Sequence, residues 1–162
     1  MSDEQRAIHA DVLRTRGNTS GPFLAWLLSP GLARPAHELG AFCRYQTSLA
    51  LPESELLILI VAAHYRCLGE REIHEPIARK AGLDNAVLEA IRRQEPPPLA
   101  TPRLSLLAEV AQQLCARKSL DDGLYQRAIA NFGDTALVEI VGVIGYYAFV
   151  AYTLNAFEMR PV

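Results

Sequence analysis

Apolar residues recur at three- and four-residue intervals along almost the whole chain, while strict alternation is scarce, so the pattern predicts an all-α fold and requires no strand. A polar first helix, about Asp3 to Thr15, ends at Gly17-Asn18. Gly21-Pro22 then opens a short apolar turn, Phe23-Leu24-Ala25-Trp26-Leu27-Leu28, stopped by Ser29-Pro30. That aromatic-rich piece is expected to pack on the core or on a neighbouring subunit. A helix from about Ala33 to Ser48 follows, and after a break at Leu51-Pro52 the run Pro52-Glu53-Ser54-Glu55 opens the next, since proline and acids suit a first turn. The helix holding His74 ends at Ala81-Gly82, Asp84 caps a short helix through Arg93, and Glu95-Pro96-Pro97-Pro98 is a stiff spacer. Beyond it come a helix from about Arg103 to Arg117, a start at Ser119-Leu-Asp-Asp122 resembling a capping box, and an apolar helix after Gly133-Asp134.

Two runs break the amphipathic pattern. Leu56-Leu57-Ile58-Leu59-Ile60-Val61-Ala62-Ala63 has no polar side, so it reads as buried, with Glu55 at its start and Cys67 near its end. Ala136 to Phe157 is apolar except for Glu139, Thr153 and Asn155, and is about long enough to cross a bilayer. Glu139 lies one turn inside it and the flanks lack basic anchors, which favours a buried helix over a membrane span. One small domain can hardly cover a helix that is apolar nearly all round, so self-association is expected. The two runs also echo each other, suggesting two similar helical halves.

The 162 residues, half of them apolar, with 16 basic and 18 acidic side chains and a net charge of -2, fit one compact domain over 1–162 with a real core. No basic block exceeds the pairs Arg92-Arg93 and Arg117-Lys118, so charge gives no reason to expect nucleic acid or an anionic membrane as partner. The charged start, Met1-Ser-Asp-Glu-Gln-Arg, has no apolar core of signal-peptide type, and the expectation is a cytoplasmic protein. Three cysteines, Cys43, Cys67 and Cys115, make an odd count without metal or redox spacing, which argues for thiols.

The candidate chemistry lies between Glu55 and His74. Glu70 and His74 are four apart and share a helix face with Ile73, Ile77, Ala78 and Ala81, whereas Arg71, Glu75 and Arg79 fall opposite, where Glu75 and Arg79 read as a solvated pair. Pro76 removes a backbone bond nearby and leaves open how far into the helix His74 lies. A structural hydrogen bond between partly buried groups gives the same spacing as a catalytic pair. Cys67, with His64 three residues before it and Glu70 and His74 after it, makes either a thiolate niche or a metal site, although no two of these residues have a recognised zinc spacing. Cys43 and Cys115 read as small buried hydrophobes.

The stretches Leu-Gly-Ala-Phe42-Cys-Arg44-Tyr-Gln-Thr-Ser-Leu, Glu55-Leu-Leu-Ile-Leu, Glu70-Arg-Glu-Ile-His74 and Ala81-Gly82-Leu83, together with Gly145-Tyr146-Tyr147 and Leu154-Asn155, resemble the carboxymuconolactone decarboxylase family and its relatives, the alkylhydroperoxidase D-like proteins. The resemblance runs over most of the chain. It implies an all-α fold assembled as a homotrimer or as a homohexamer built from trimers. The peroxidase branch carries Cys-x-x-Cys followed by x-x-x-His, with a glutamate twelve positions before the first cysteine. Glu55, Cys67 and His74 match that pattern, but Glu70 replaces the second cysteine, and a dithiol cycle needs two thiols within reach. The Glu-x-x-x-His form is similar instead to the decarboxylase branch, which uses no metal or organic cofactor.

The resemblance therefore implies a cofactor-independent decarboxylase acting on a small carboxylated lactone or related acid. In it His74 is the general acid/base, Glu70 orients it, Glu55 completes the proton network and Cys67 lines the pocket. Arg44 is a candidate clamp for the substrate carboxylate, or else a surface charge, and His64 is a second candidate for the pocket. A hydroperoxidase with Cys67 as nucleophile, and a non-catalytic oligomeric binding module, are the competing readings.

Overall fold

The computed structural model describes residues 1–19 and 21–159. Among them are nine helices: α1 (Asp3–Arg16), α2 (Phe23–Trp26), α3 (Pro30–Tyr45), α4 (Leu51–His64), α5 (Leu68–Lys80), α6 (Asn85–Arg92), α7 (Pro102–Arg117), α8 (Asp122–Phe132) and α9 (Asp134–Ala156). No strand occurs in the described residues. Most helix starts are the ones local chemistry dictates. The Asp84 carboxylate accepts from the Val87 N–H at 3.0 Å, and Glu53 reaches back to the Ala50 N–H at 2.9 Å, so each satisfies a donor the first turn leaves free.

Two boundaries differ from the sequence reading. α3 runs from Pro30 to Tyr45, about three residues earlier at each end, because Pro30 both closes the preceding turn and occupies the first helical position, where its missing N–H costs nothing. The start of α8 is not capped from Ser119; Asp121 does it, accepting from the Leu124 N–H at 2.9 Å.

α4 is the axis of the fold. Every residue from Glu53 to Ala62 is buried, because α5, α6, α7 and α9 surround it. Its end sets up the site. Arg66 adopts a left-handed conformation (φ 52°), and the Cys67 N–H returns to the Ala62 carbonyl at 2.8 Å while the Arg66 N–H bonds the Ala63 carbonyl at 3.2 Å. This is a Schellman ending with arginine in place of glycine, a conformation that costs a non-glycine residue about 1 kcal/mol. The reversal lays α5 back along α4, so a face of α5 looks at the start of α4.

α9 packs against α3, α4, α5 and α8. The aromatic piece at α2 docks on it: the Trp26 indole lies parallel to Phe149 at 4.8 Å and donates to the Thr153 hydroxyl at 3.0 Å. α9 is long and apolar enough to cross a membrane, and more than half of its most apolar stretch is buried within the protein. It nevertheless leaves a stripe outside, Val138, Val141, Gly142, Gly145 and Tyr152.

The Glu75 and Arg79 pair is not solvated decoration. Glu75 is buried, it accepts from Arg92 Nε at 2.6 Å, and Arg79 and Arg71 stand at 3.4 and 3.7 Å. Burial pushes its carboxyl up, but the Arg92 hydrogen bond and the three positive charges outweigh that and hold it below its ordinary value. The network ties α5 to α6, a contact that α5 alone could not reveal.

Candidate active site

His74 is the seventh residue of α5 and Pro76 lies inside that helix without ending it, so Glu70 and His74 share a continuous face. The face meets the beginning of α4. His74 Nδ1 lies 2.7 Å from Glu55 Oε2, with both side chains almost wholly buried, a distance at which the ring N–H donates to the carboxylate. That bond fixes the orientation of the imidazole and leaves Nε2 to do other work.

Two groups compete for Nε2. Arg44 Nη1, from the last turn of α3, is 3.2 Å away, and Glu70 Oε2 is also 3.2 Å away but off the hydrogen-bond axis, so this buried oxygen has no aligned donor among the described residues. When Nε2 is bare it accepts from Arg44. When Nε2 carries a proton, Glu70 is its acceptor. The arrangement therefore holds one exchangeable proton on the edge of the ring that faces the cavity. Burial pulls the imidazolium down, yet hydrogen bonds and charges from Glu55 and Glu70 outweigh it and raise His74 above its ordinary 6.5.

The cavity beside Nε2 has a volume of about 170 Å³. α5 supplies Glu70, Ile73 and His74, α3 supplies Arg44, and α9 supplies Tyr146 and Tyr147. Tyr147 meets the His74 ring edge-on at 5.4 Å, and burial first of all pushes both phenols up, so they stay protonated donors. Arg16 and Phe23 also line it, with the Arg16 guanidinium 4.7 Å above the Phe23 ring. A space of this size admits a small ligand only.

Glu55, Glu70, His74 and Arg44 thus come together. Cys67 and His64 do not join them at the cavity. Cys67 is buried and does not line the cavity. Burial pushes its thiol up, and the Glu70 charge adds to this against opposing backbone hydrogen bonds from Glu70 and Gly69 at the start of α5. His64 ends α4 and lines a different cavity, about 280 Å³, with Cys115 and Gln112. All three cysteines are unpaired and buried. Among the described residues, no group of three or more His, Cys, Asp or Glu is arranged to hold a metal ion.

Sequence reasoning did not single out Arg16, Tyr146 or Tyr147 as site residues. The two tyrosines carried a signal, adjacent phenols inside an otherwise apolar helix. Arg16 carried none, because α1 looks like an ordinary surface helix.

No family model matches the chain, and no curated protein is significantly similar to it in sequence. Two crystal structures share its architecture. An uncharacterized peroxidase-related protein from Silicibacter sp. TM1040 superposes with a TM-score of 0.80 at 16% identity, covering 99% of this chain and 86% of that one. An alkylhydroperoxidase AhpD core protein from Ralstonia eutropha JMP134, also uncharacterized and peroxidase-related, gives 0.80 at 18% identity, covering 100% and 87%. The chain therefore shares the all-α fold of these two structures.

Proposed function

We propose that this protein is a cofactor-independent acid–base enzyme, a decarboxylase of a small carboxylated lactone or related ring acid. The observation that carries the reading is His74, pinned by Glu55 on one nitrogen and presenting the other to a cavity shared with Arg44 and Tyr147, while the thiol lies outside that cavity. A substrate carboxylate displaces nothing covalent here. As its C–CO2 bond breaks, the electron pair moves into the conjugated ring carbonyl to give a dienolate, whose oxygen is stabilised by the Arg44 guanidinium and the Tyr147 hydroxyl. The proton on His74 Nε2 then goes to carbon, Glu55 holds Nδ1–H throughout, and water restores the proton along Glu70. One solvent proton is taken up for each CO2 released, and no oxidant, reductant or further reagent is needed.

The thiol peroxidase reading has its own support: Cys67 occupies the N-cap position of α5, with the backbone N–H groups of Gly69 and Glu70 favouring the thiolate, and two structural neighbours are called peroxidase-related. Burial and the adjacent Glu70 charge work against it. Parallel assays of wild type, Cys67→Ser and His74→Gln decide: CO2 release from carboxymuconolactone, and thiol-dependent loss of an organic hydroperoxide. Decarboxylation that survives Cys67→Ser and falls at least 100-fold in His74→Gln is the expected result, in the range of general acid–base contributions. Hydroperoxide turnover abolished by Cys67→Ser, with no CO2 release by wild type, overturns it.

A further inference from the structure

We infer that Arg16 is a second anion anchor of the cavity, the residue of this chain that holds a non-reacting carboxylate of the ligand while the reacting end lies at Arg44 and His74. This deepens the proposed reaction and rests on that reading only for the chemical step after binding. Several observations converge on Arg16. Its Nε and Nη2 are buried, and no carboxylate or carbonyl among the described residues accepts from them; the Tyr146 hydroxyl is the polar group at their side. Guanidinium N–H groups withdrawn from water without an acceptor are expensive, and natural proteins rarely leave them so. Other partly buried arginines here solve that problem with carboxylates, as Arg92 does with Glu75 and Arg103 with Glu53 at 2.5 Å. Arg16 has Phe23 beneath it and the cavity beside it.

The fold also makes room for this group at a cost. Gly40, buried in α3, faces it, and a Cβ there would stand 2.1 Å from the Tyr146 hydroxyl and 2.6 Å from Arg16 Nη2. Glycine in a helix interior costs about 1 kcal/mol relative to alanine. That cost keeps open a place where a guanidinium and a phenol stand side by side, a donor set suited to a carboxylate. The lining agrees: Arg16 and Arg44 face the cavity with Glu70 as the one acidic side chain in its wall, a net positive setting for an incoming anion.

The test is calorimetric binding of glutarate and butyrate, chains of similar length with two carboxylates and one, to wild type, Arg16→Gln and Arg44→Gln. Wild type should prefer glutarate by at least 10-fold. Arg16→Gln should abolish the preference and leave butyrate affinity within about 2-fold, while Arg44→Gln weakens both ligands. Absence of a preference in wild type, its persistence in Arg16→Gln, or equal weakening of both ligands by Arg16→Gln overturns the inference. The melting temperature of ligand-free Arg16→Gln should hold or rise, since a buried guanidinium without a carboxylate is relieved; a large fall makes its role structural and also overturns the inference. Selective glutarate binding without any decarboxylation removes the proposed reaction and keeps the anchor, whereas decarboxylation by wild type without selectivity removes the anchor and keeps the reaction.

Discussion

Replacing Glu55 with glutamine tests the proton network where it is best defined. The amide oxygen can still accept from His74 Nδ1–H at the 2.7 Å position of Oε2, so shape and hydrogen bond persist and only the charge is lost. A hydrogen bond to a charged group contributes about 1.5–3 kcal/mol and a neutral one about 0.5–1.5, so the change should cost about 1–2 kcal/mol with His74 protonated. The same energy appears as a fall of roughly one unit in the His74 titration midpoint, since one unit corresponds to about 1.4 kcal/mol. His74 is raised in the folded protein, so its contribution to stability is fully present below the ordinary 6.5 and is lost as pH rises through the folded value. Glu55→Gln should therefore melt about 2–8 °C below wild type at pH 6, using ~2–4 °C per kcal/mol for a chain of this size, and the gap should narrow as pH rises. Calorimetric melts at pH 6 and pH 9, with NMR titration of the imidazole, give both readouts. An unchanged midpoint, or a gap that widens with pH, refutes the network as drawn.

Gly40→Ala should disturb the wall of the cavity, because its new methyl meets the Tyr146 hydroxyl and Arg16 before anything else. Overpacking of this kind costs about 1–3 kcal/mol, and melting combined with turnover should show both falling, while an unperturbed variant would mean the neighbours move aside freely. The stripe Val138, Val141, Gly142, Gly145 and Tyr152 along α9, next to exposed Leu39 and Phe42 of α3, is proposed to be covered by further copies of the chain. Sedimentation at micromolar concentration should then give a trimer or larger that Val141→Lys weakens, and a stable monomer would contradict this.

Helix type and order were legible because they depend on neighbours in sequence: the period of apolar residues, Asp84 before Val87, Gly82 after α5. The Glu70–His74 pair belongs to the same class, since four residues make one helical turn. Glu55 was legible only through its resemblance and its place at the head of an apolar run; what joins it to His74 is the tight reversal at Arg66, a left-handed residue that no turn rule assigns to arginine. The Glu75 reading failed for a related reason. Its i,i+4 partner Arg79 was visible, but Arg92 comes from the next helix and converts a weak exposed pair into a buried clamp.

Arg16 and Cys67 show why a site cannot be read from reactive residues alone. Cys67 has the more reactive side chain and sits among the motif residues, yet the reversal that brings α5 onto α4 buries its sulfur away from the cavity. Arg16 ends a helix of ordinary composition, and becomes part of the cavity wall only because α1 packs on α3, where Gly40 lacks a side chain, and because α2 brings Phe23 beneath the guanidinium. Local chemistry placed Glu70 beside His74. Which groups surround that pair is decided by packing between helices far apart in the chain, so substitutions at Arg16 and Gly40 test what the motif alone does not reveal.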